Sequence, residues 1–159
     1  MSLNPLRAFV LALACAAPIS HAQNVPYGTP IDLETARKVA TAAVAEARKN
    51  SFNMVVAITD PAGDLVYLEK MDNTQTGSVR VAQGKARSAA IFRRPTKVFE
   101  DIVTSGGNGL RILGLEGAVP IEGGIPLVVG GRIIGAIGAS GGSAAQDGQV
   151  AKAGVAVLN

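Results

Sequence analysis

The sequence predicts a small α/β domain of the α+β type, in which an antiparallel sheet is flanked by helices. Two observations predict it: helical periodicity recurs before, between and after two pairs of β-rich segments, and each pair is separated by residues that favour a tight turn. Strands joined by tight turns pair antiparallel. The order helix, hairpin, helices, hairpin, helix therefore excludes a doubly wound nucleotide-binding fold.

The first helix follows a leader loop over residues 23–31. Asp32 can cap its start, because an aspartate side chain accepts hydrogen bonds from the free amides of the first turn. Small and apolar residues then recur at three- and four-residue steps until about Asn50, with charged residues on the other faces. This spacing is typical of an amphipathic helix.

Each hairpin is predicted from its turn. Pro61 and Gly63 suit the first turn, since proline fixes φ and glycine accepts a positive φ. Gly130 and Gly131 suit a type I′ turn in the second hairpin. The β-rich runs are residues 54–58 and 65–68 in the first hairpin, and residues 125–129 and 132–137 in the second.

The remaining helices are predicted from periodicity and caps. A helix between the hairpins ends before Pro95, and Thr96 can cap a short second one. The last helix begins at Ser143, where Gln146 completes a capping box. A short strand near Val119 could be a fifth member of the sheet.

Residues 1–22 resemble a secretory signal peptide. They contain one positive charge, a short apolar run, and Ser20 and Ala22 at the positions before the cleavage site. Ten helical residues rise only about 15 Å, half of the hydrocarbon core, so a permanent membrane anchor is disfavoured. We expect cleavage after Ala22, with lipid attachment at Cys15 as the minor alternative. The product, residues 23–159, is then a single periplasmic or secreted domain with no membrane association.

Cleavage would also restrict the chemistry of the mature chain. Cys15 and His21 are the chain's cysteine and histidine, and both precede the cleavage site. Cysteine proteases, Ser-His-Asp hydrolases and zinc sites built from cysteine and histidine are therefore excluded. The loss of Arg7 lowers the formal net charge of +3 by one, and tryptophan is absent. We therefore expect no nucleic-acid partner.

A glycine-rich turn, Gly138-Ala-Ser-Gly-Gly-Ser143, joins a predicted strand to the last helix. Free amides and the helix dipole could bind an anion there, although such a turn also needs glycine for purely structural reasons. A helix terminus contributes about 0.3–2 kcal/mol to anion binding, whereas millimolar affinity needs about 4 kcal/mol. No Lys-Ser/Thr pair follows, so we expect no nucleotide.

A basic segment could supply the missing binding energy. Residues 73–99 contain no acid, and guanidinium groups suit carboxylates, although a solvated basic face is an equally good interpretation. Gly123 and Gly124 imply that backbone or ligand approaches closely. The basic residues are Arg80, Lys85, Arg87, Arg93, Arg94 and Lys97, and the candidates for acid/base chemistry are Glu122, Asp60, Asp72 and Asp147.

At these same residues the chain resembles the GlcG/HbpS-like haem-binding family, which is also described as haem-degrading and of the DUF336 type. The matching segments are Asp60-Pro-Ala-Gly63, Met71-Asp72, Lys85-Ala-Arg87, Arg94-Pro-Thr96, Gly123-Gly-Ile-Pro126, Gly135-Ala-Ile-Gly-Ala-Ser-Gly-Gly142 and Gln146-Asp147. The resemblance implies a profilin-like, five-stranded antiparallel sheet between helices and assembly into homo-oligomers. It also implies binding of haem or a related tetrapyrrole in some members, with haem degradation or iron handling suggested for the group, and a link to glycolate or diol metabolism in other members.

The resemblance also carries over particular positions. They are Asp60, Met71, Asp72, Lys85, Arg87, Gly123, Gly124, Ser140, Gly141, Gly142, Gln146 and Asp147. The chain departs from the family at Lys70, where arginine is frequent, and at Asn73-Thr74, where Gly-Ala is common. An axial ligand to haem iron would have to be Met71, Met54, Tyr67, Tyr27, a lysine or a hydroxyl; otherwise haem would be held by its propionates and apolar face.

The leading hypothesis is a periplasmic or secreted protein that binds haem or a similar small molecule bearing carboxylates. The expected ligand-binding residues are Arg80, Lys85, Arg87, Met71, Gly123, Gly124, Ser140, Gly141, Gly142 and Ser143. One alternative is an enzyme that degrades haem or acts on a small hydroxy acid through Glu122 or Asp147. Another is a sensory or structural module that binds a partner protein.

Overall fold

A four-stranded antiparallel sheet with helices on both faces makes up residues 25–158, which are the residues that the structure describes. The structure is a computed structural model, and the predicted signal peptide lies outside the described residues. The strands are β1 (Val55–Thr59), β2 (Leu65–Lys70), β3 (Gly124–Val129) and β4 (Arg132–Ser140). The helices are α1 (Leu33–Lys49), α2 (Ser78–Phe92), α3 (Thr96–Thr104) and α4 (Ala144–Val155), with 3₁₀-helices over Gly107–Gly114 and Ala156–Leu158.

Both predicted hairpins are confirmed. β1 pairs with β2 and β3 pairs with β4, while β1 also pairs with β4, which gives the strand order β2-β1-β4-β3. Gly130 and Gly131 have φ values of 55° and 71°, as a type I′ turn requires. The α+β class predicted from the sequence is therefore correct.

The prediction of a fifth strand near Val119 is wrong for the part of the chain that the structure describes. The segment between the 3₁₀-helix and β3 runs in turns, and side chains bind its amides. The Val119 amide donates to Ser88 Oγ at 3.1 Å, and the Glu122 amide donates to Glu100 Oε2 at 2.6 Å. These amides are thus unavailable to a neighbouring strand, and a profilin-like arrangement stays a prediction.

Both faces of β1 are covered, so all five of its residues are buried. Val56 and Ile58 belong to the core cluster formed with α1 and α4, whereas Val55 and Ala57 pack against alanines of α2. Alternating residues of a strand point to opposite faces, which explains the division. The domain is therefore a three-layer arrangement with the sheet in the middle.

The predicted helix starts are confirmed for α1 and α4. The Asp32 carboxylate accepts a hydrogen bond from the Thr35 amide at 2.7 Å. Ser143 and Gln146 form the reciprocal capping box at the start of α4. These local signals place both helices where the sequence predicts them.

Thr96 does not cap α3 as the sequence predicts. Pro95 occupies the N-cap position, and the buried Thr96 Oγ1 accepts a hydrogen bond from the Gly124 amide at 2.9 Å. This hydrogen bond joins α3 to the first residue of β3, 28 residues away in the chain. The Thr96 hydroxyl therefore makes a tertiary contact instead of capping its own helix.

Candidate functional site

Lys85 of α2 is completely buried and forms an ion pair inside the protein. Its Nζ donates to Asp147 Oδ2 at 2.6 Å and to the carbonyl oxygen of Ala139 at 3.2 Å. Asp147 of α4 is 3% exposed. A buried cation needs such partners, because an unpaired charge in the interior is strongly disfavoured. The pair therefore joins α2, β4 and α4.

The glycine turn between β4 and α4 donates its amides to side chains of the protein itself. The Gly142 amide donates to Asp147 Oδ1 at 3.0 Å, and the Ser143 amide donates to Gln146 Oε1 at 2.9 Å. A cation of the middle helix and the glycine turn do converge, as the leading hypothesis requires. The anion that lies between them is Asp147, whose carboxylate stands where we expected the carboxylate of a ligand.

The structure does not bring Arg87 to this turn. Ser78 at the start of α2 contacts the turn, since its Oγ lies 3.2 Å from Ser140 Oγ. Arg87 is nine residues further along, a helical rise of about 13 Å, and its guanidinium lies 3.9 Å from Asp64 in the β1–β2 turn. Arg80 is exposed near the start of α2. Both arginines stay predictions as ligand-binding residues, and neither takes part in the Lys85–Asp147 pair.

Gly123 and Gly124 lie against protein groups. Gly123 has a φ of 125°, and a Cβ added to it would lie 2.9 Å from Lys85 Nζ and 2.8 Å from Asp147 Cβ. A Cβ on Gly124 would lie 2.6 Å from Thr96 Cγ2. The close approach that the sequence predicts is therefore present, and the neighbour is the protein interior.

A polar cleft collects several other predicted positions. It consists of two cavities of about 300 and 290 Å³ that share Asn53 and Asn73. Gly141, Gly142 and Gln146 line the first cavity, and Met71 and Asp72 line the second. The cleft is built mainly from amides and charged groups, so it suits a hydrophilic ligand better than an apolar one. Asp60 lies elsewhere, where its carboxylate accepts the Asp64 amide at 2.9 Å.

A third concave region is apolar and lies where α3, β3 and α4 meet; we call it the apolar cleft. Its volume is about 380 Å³, within the range of small-molecule sites. Pro95 and Val98 come from the start of α3, and Ile125 and Gly124 come from β3. The ligand-binding residues predicted from the sequence do not include Pro95, Val98, Ile125 or Lys152. Val98 is exposed and lies close in space to the Gly-Gly-Ile-Pro segment. The order of residues in the sequence does not show this proximity.

Three charged residues border the apolar cleft: Lys97, Glu122 and Lys152. Lys152 Nζ lies 3.1 Å from Glu122 Oε1, and Lys97 pairs with Asp101 one turn along α3. The hydrogen bond that Lys97 donates to the Asp101 carboxylate raises the pKa of Lys97 above its ordinary value. The side chains of Lys97 and Lys152 remain 42% and 68% exposed. The rim therefore carries two exposed lysine side chains, each paired with a carboxylate of the protein.

The candidate donors to a haem iron are mostly engaged within the fold. Met54 is fully buried, and Met71 packs against the main core. The Tyr27 hydroxyl donates to the carbonyl oxygens of Ala90 and Ile91, both at 3.1 Å. The Tyr67 hydroxyl donates to Glu69 at 3.2 Å.

The remaining surface offers a larger but less specific cavity. It measures about 520 Å³ and lies between the start of α1, the end of β3 and the last 3₁₀-helix. Its lining includes none of the ligand-binding or acid/base residues predicted from the sequence. Within residues 25–158 there is no cluster of three or more metal-ligating side chains and no helix with the length and apolar character of a membrane span.

Comparison with known proteins relates this architecture to one family. Residues 31–156 match the model of the family described as haem-degrading protein HbpS-like. Protein GlcG of Escherichia coli K12 is 42% identical over 107 residues, which cover 67% of this chain and 78% of GlcG.

Solved structures give the same relation. A double mutant of Streptomyces reticuli HbpS superposes with a TM-score of 0.76 and 29% identity, covering 91% of this chain and 98% of that one. A PduOC–haem complex superposes with a TM-score of 0.74 and 30% identity, covering 82% and 96% of the two chains.

Proposed function

The chain belongs to the HbpS-like family of haem-degrading proteins, and from this membership we propose that it is an exported protein that binds haem or a related anionic tetrapyrrole. A relative of similar structure is known as a haem complex. Haem presents an apolar macrocycle with two carboxylates at one edge. A site for it needs an apolar surface and cations placed beside that surface.

The apolar cleft is the observation that carries this proposal. Pro95, Val98 and Ile125 supply the apolar surface. Covering this surface with an apolar ligand is favourable, because it removes the surface from water. Lys97 and Lys152 supply the cations at the rim. The residues present therefore fit the organic part of haem. They do not fit its iron, because the cleft contains no imidazole, thiol or thioether.

Export is the second part of the proposal. It rests on the signal-like sequence of residues 1–22 and places the protein in the periplasm or outside the cell. Sequencing of the secreted form should begin at Gln23. An intact Met1 on the exported protein would contradict cleavage.

A catalytic role is the alternative that one observation favours. The Glu122 side chain is only 13% exposed and borders the apolar cleft, so it could exchange a proton with a bound molecule. Asp147, the other acid/base candidate, is committed to Lys85 and Gly142. Loss of the haem spectrum on adding a reductant, slowed in Glu122→Gln, would support catalysis over plain binding.

Titration with haem tests the binding proposal. We expect a saturable change in the Soret band, and a loss of about tenfold in affinity for Val98→Asp and for the double variant Lys97→Ala/Lys152→Ala. Arg87→Ala is the matched control, because it removes an exposed cation outside the cleft. Weaker binding in Arg87→Ala with no change in the cleft variants would favour the site around α2 instead. No spectral change at tens of micromolar protein would contradict haem binding.

A further inference from the structure

We infer that the apolar cleft recognises the organic part of a tetrapyrrole and not its metal, so that a metal-free porphyrin with two carboxylates binds as well as haem. The inference rests on the proposed function and names its ligand class more closely. The ligand is an apolar macrocycle with adjacent carboxylates, whether or not iron occupies its centre.

The heteroatoms that border the cleft do not suit an iron ion. The cleft has three charged side chains, Lys97, Glu122 and Lys152, and the hydroxyl of the adjacent Thr96 is buried in a hydrogen bond with Gly124. Glu122 is paired with Lys152 at 3.1 Å. Residues 25–158 contain no histidine or cysteine. No uncharged nitrogen or sulfur atom is therefore offered to a metal at this place.

The two lysines are suited to carboxylates for the same reason that they are unsuited to iron. A metal ligand must be the neutral amine, and at pH 7 fewer than about one in a thousand lysine side chains are neutral. The pairing with Asp101 shifts Lys97 further toward the charged form, because it raises the pKa. Ammonium groups hold carboxylates by charge-assisted hydrogen bonds. The rim thus recognises the acidic edge of the macrocycle.

The other iron donors of the described chain lie away from the cleft or inside the core. Met54 is beneath the glycine turn, where a Cβ on Gly141 would lie 2.9 Å from its sulfur. Met71 lines the polar cleft. The Tyr27 hydroxyl donates to two backbone carbonyls of α2. None of these side chains lines the apolar cleft.

A comparison of two ligands tests the inference. Haemin and metal-free protoporphyrin IX are titrated into the exported protein at pH 7, the first by absorbance and the second by its own fluorescence. We expect dissociation constants that agree within about threefold, and a loss of about tenfold for both ligands in Lys97→Ala/Lys152→Ala. Haemin binding more than about thirtyfold tighter would overturn the inference, because the iron would then have a protein ligand. If neither ligand binds, the proposed function fails with it.

The pH dependence of the two dissociation constants supplies an independent test. If the two lysines contact the carboxylates of the macrocycle and not its metal, the ratio of the two dissociation constants should stay constant between pH 6.5 and pH 9. A rise in affinity with pH for haemin alone would reveal a neutral lysine on the iron and contradict the inference. The full chain is measured beside the chain that begins at Gln23. A preference for haemin confined to the full chain and lost in His21→Ala would place a ligand in the signal segment and also overturn the inference.

Discussion

Lys85 and Asp147 are separated by 62 residues in the chain and by 2.6 Å in the structure. Their side chains are 1% and 4% exposed, so solvent screens the pair very little. The pair is completed by the Gly142 amide and the Ala139 carbonyl oxygen. The motif residues Lys85, Gly142 and Asp147 therefore form one internal network that holds α4 against the sheet.

Removing the charge of Asp147 should destabilise the protein strongly. In Asp147→Asn the Lys85 ammonium stays buried without its counterion, a situation that costs about 3–5 kcal/mol. Unfolding in urea should give this loss as a lower midpoint at an unchanged slope. The double variant Lys85→Met/Asp147→Leu should recover part of the stability, because it leaves no buried charge.

Glu34→Gln provides the matched control for that measurement. Glu34 pairs with Lys38 on the surface of α1, and both side chains are largely exposed. Exposed pairs contribute little to stability. If Asp147→Asn changed the midpoint no more than Glu34→Gln, the internal pair would not have the importance that its burial implies.

Residue types in the sequence identified residues that meet in the fold, but they did not show which groups those residues would bind. The acid-free basic segment and the glycine turn do meet at Lys85, as expected. A sequence cannot show, however, that the anion between them comes from the same chain, because Asp147 reaches Lys85 only after α2, β4 and α4 have packed. The same reason hides Lys152, which borders the cleft from a different helix than Lys97.

At the level of elements, local signals determine where helices and strands begin. The Asp32 carboxylate accepts hydrogen bonds from the amide and the hydroxyl of Thr35, at 2.7 and 3.0 Å. These bonds lower the pKa of Asp32 below its ordinary value. The cap is therefore effective in its ionised form.

The pKa of Asp32 gives a pH dependence with a definite sign. A carboxyl whose pKa is lower in the folded state stabilises the fold above its unfolded pKa, about 3.9, and loses that contribution as pH falls through the folded value. Asp32→Ala should thus lower the thermal midpoint at pH 7. The difference from the unchanged protein should shrink below about pH 4, as measured by circular dichroism. A difference that persisted at pH 2.5 would show that the carboxylate is not the stabilising group.

Elements with their own turn or cap could be predicted, whereas elements that depend on tertiary contacts could not. Both hairpins and the capping box of α4 follow from residues close together in the chain. The region near Val119 is apolar enough for a strand, but Ser88 and Glu100 bind its amides from α2 and α3. Those contacts are made across more than 20 residues, beyond the reach of local patterns.

For the whole molecule, the 3₁₀-helix and the segment after it expose several aliphatic side chains. No residue of Gly107–Gly114 is buried. Leu110, Leu113, Leu115 and Ile121 are 41–65% exposed. Exposed aliphatic side chains that form one contiguous patch are typical of a surface that another protein covers. We propose that the neighbour is a second copy of the chain, in line with the homo-oligomer that the resemblance implies.

Leu113→Asp tests this assembly. A carboxylate at the most exposed leucine of the segment should favour the monomer, because burying it in an apolar interface is costly. Light scattering after size exclusion should show an oligomer for the unchanged chain and a lower mass for the variant. Leu65→Asp, at an exposed leucine of β2, is the control. A monomer for the unchanged chain at high concentration would contradict the proposal.

The binding of a tetrapyrrole in the apolar cleft between α3, β3 and α4 is the proposal on which the other functional predictions depend. Its most direct test is an amide chemical-shift map of the labelled protein during titration with metal-free protoporphyrin IX, which causes no paramagnetic broadening. We predict that the largest shifts occur at Val98, Ile125 and Lys152. Shifts concentrated at Gly142 or Arg87, with the cleft unchanged, would contradict the claim.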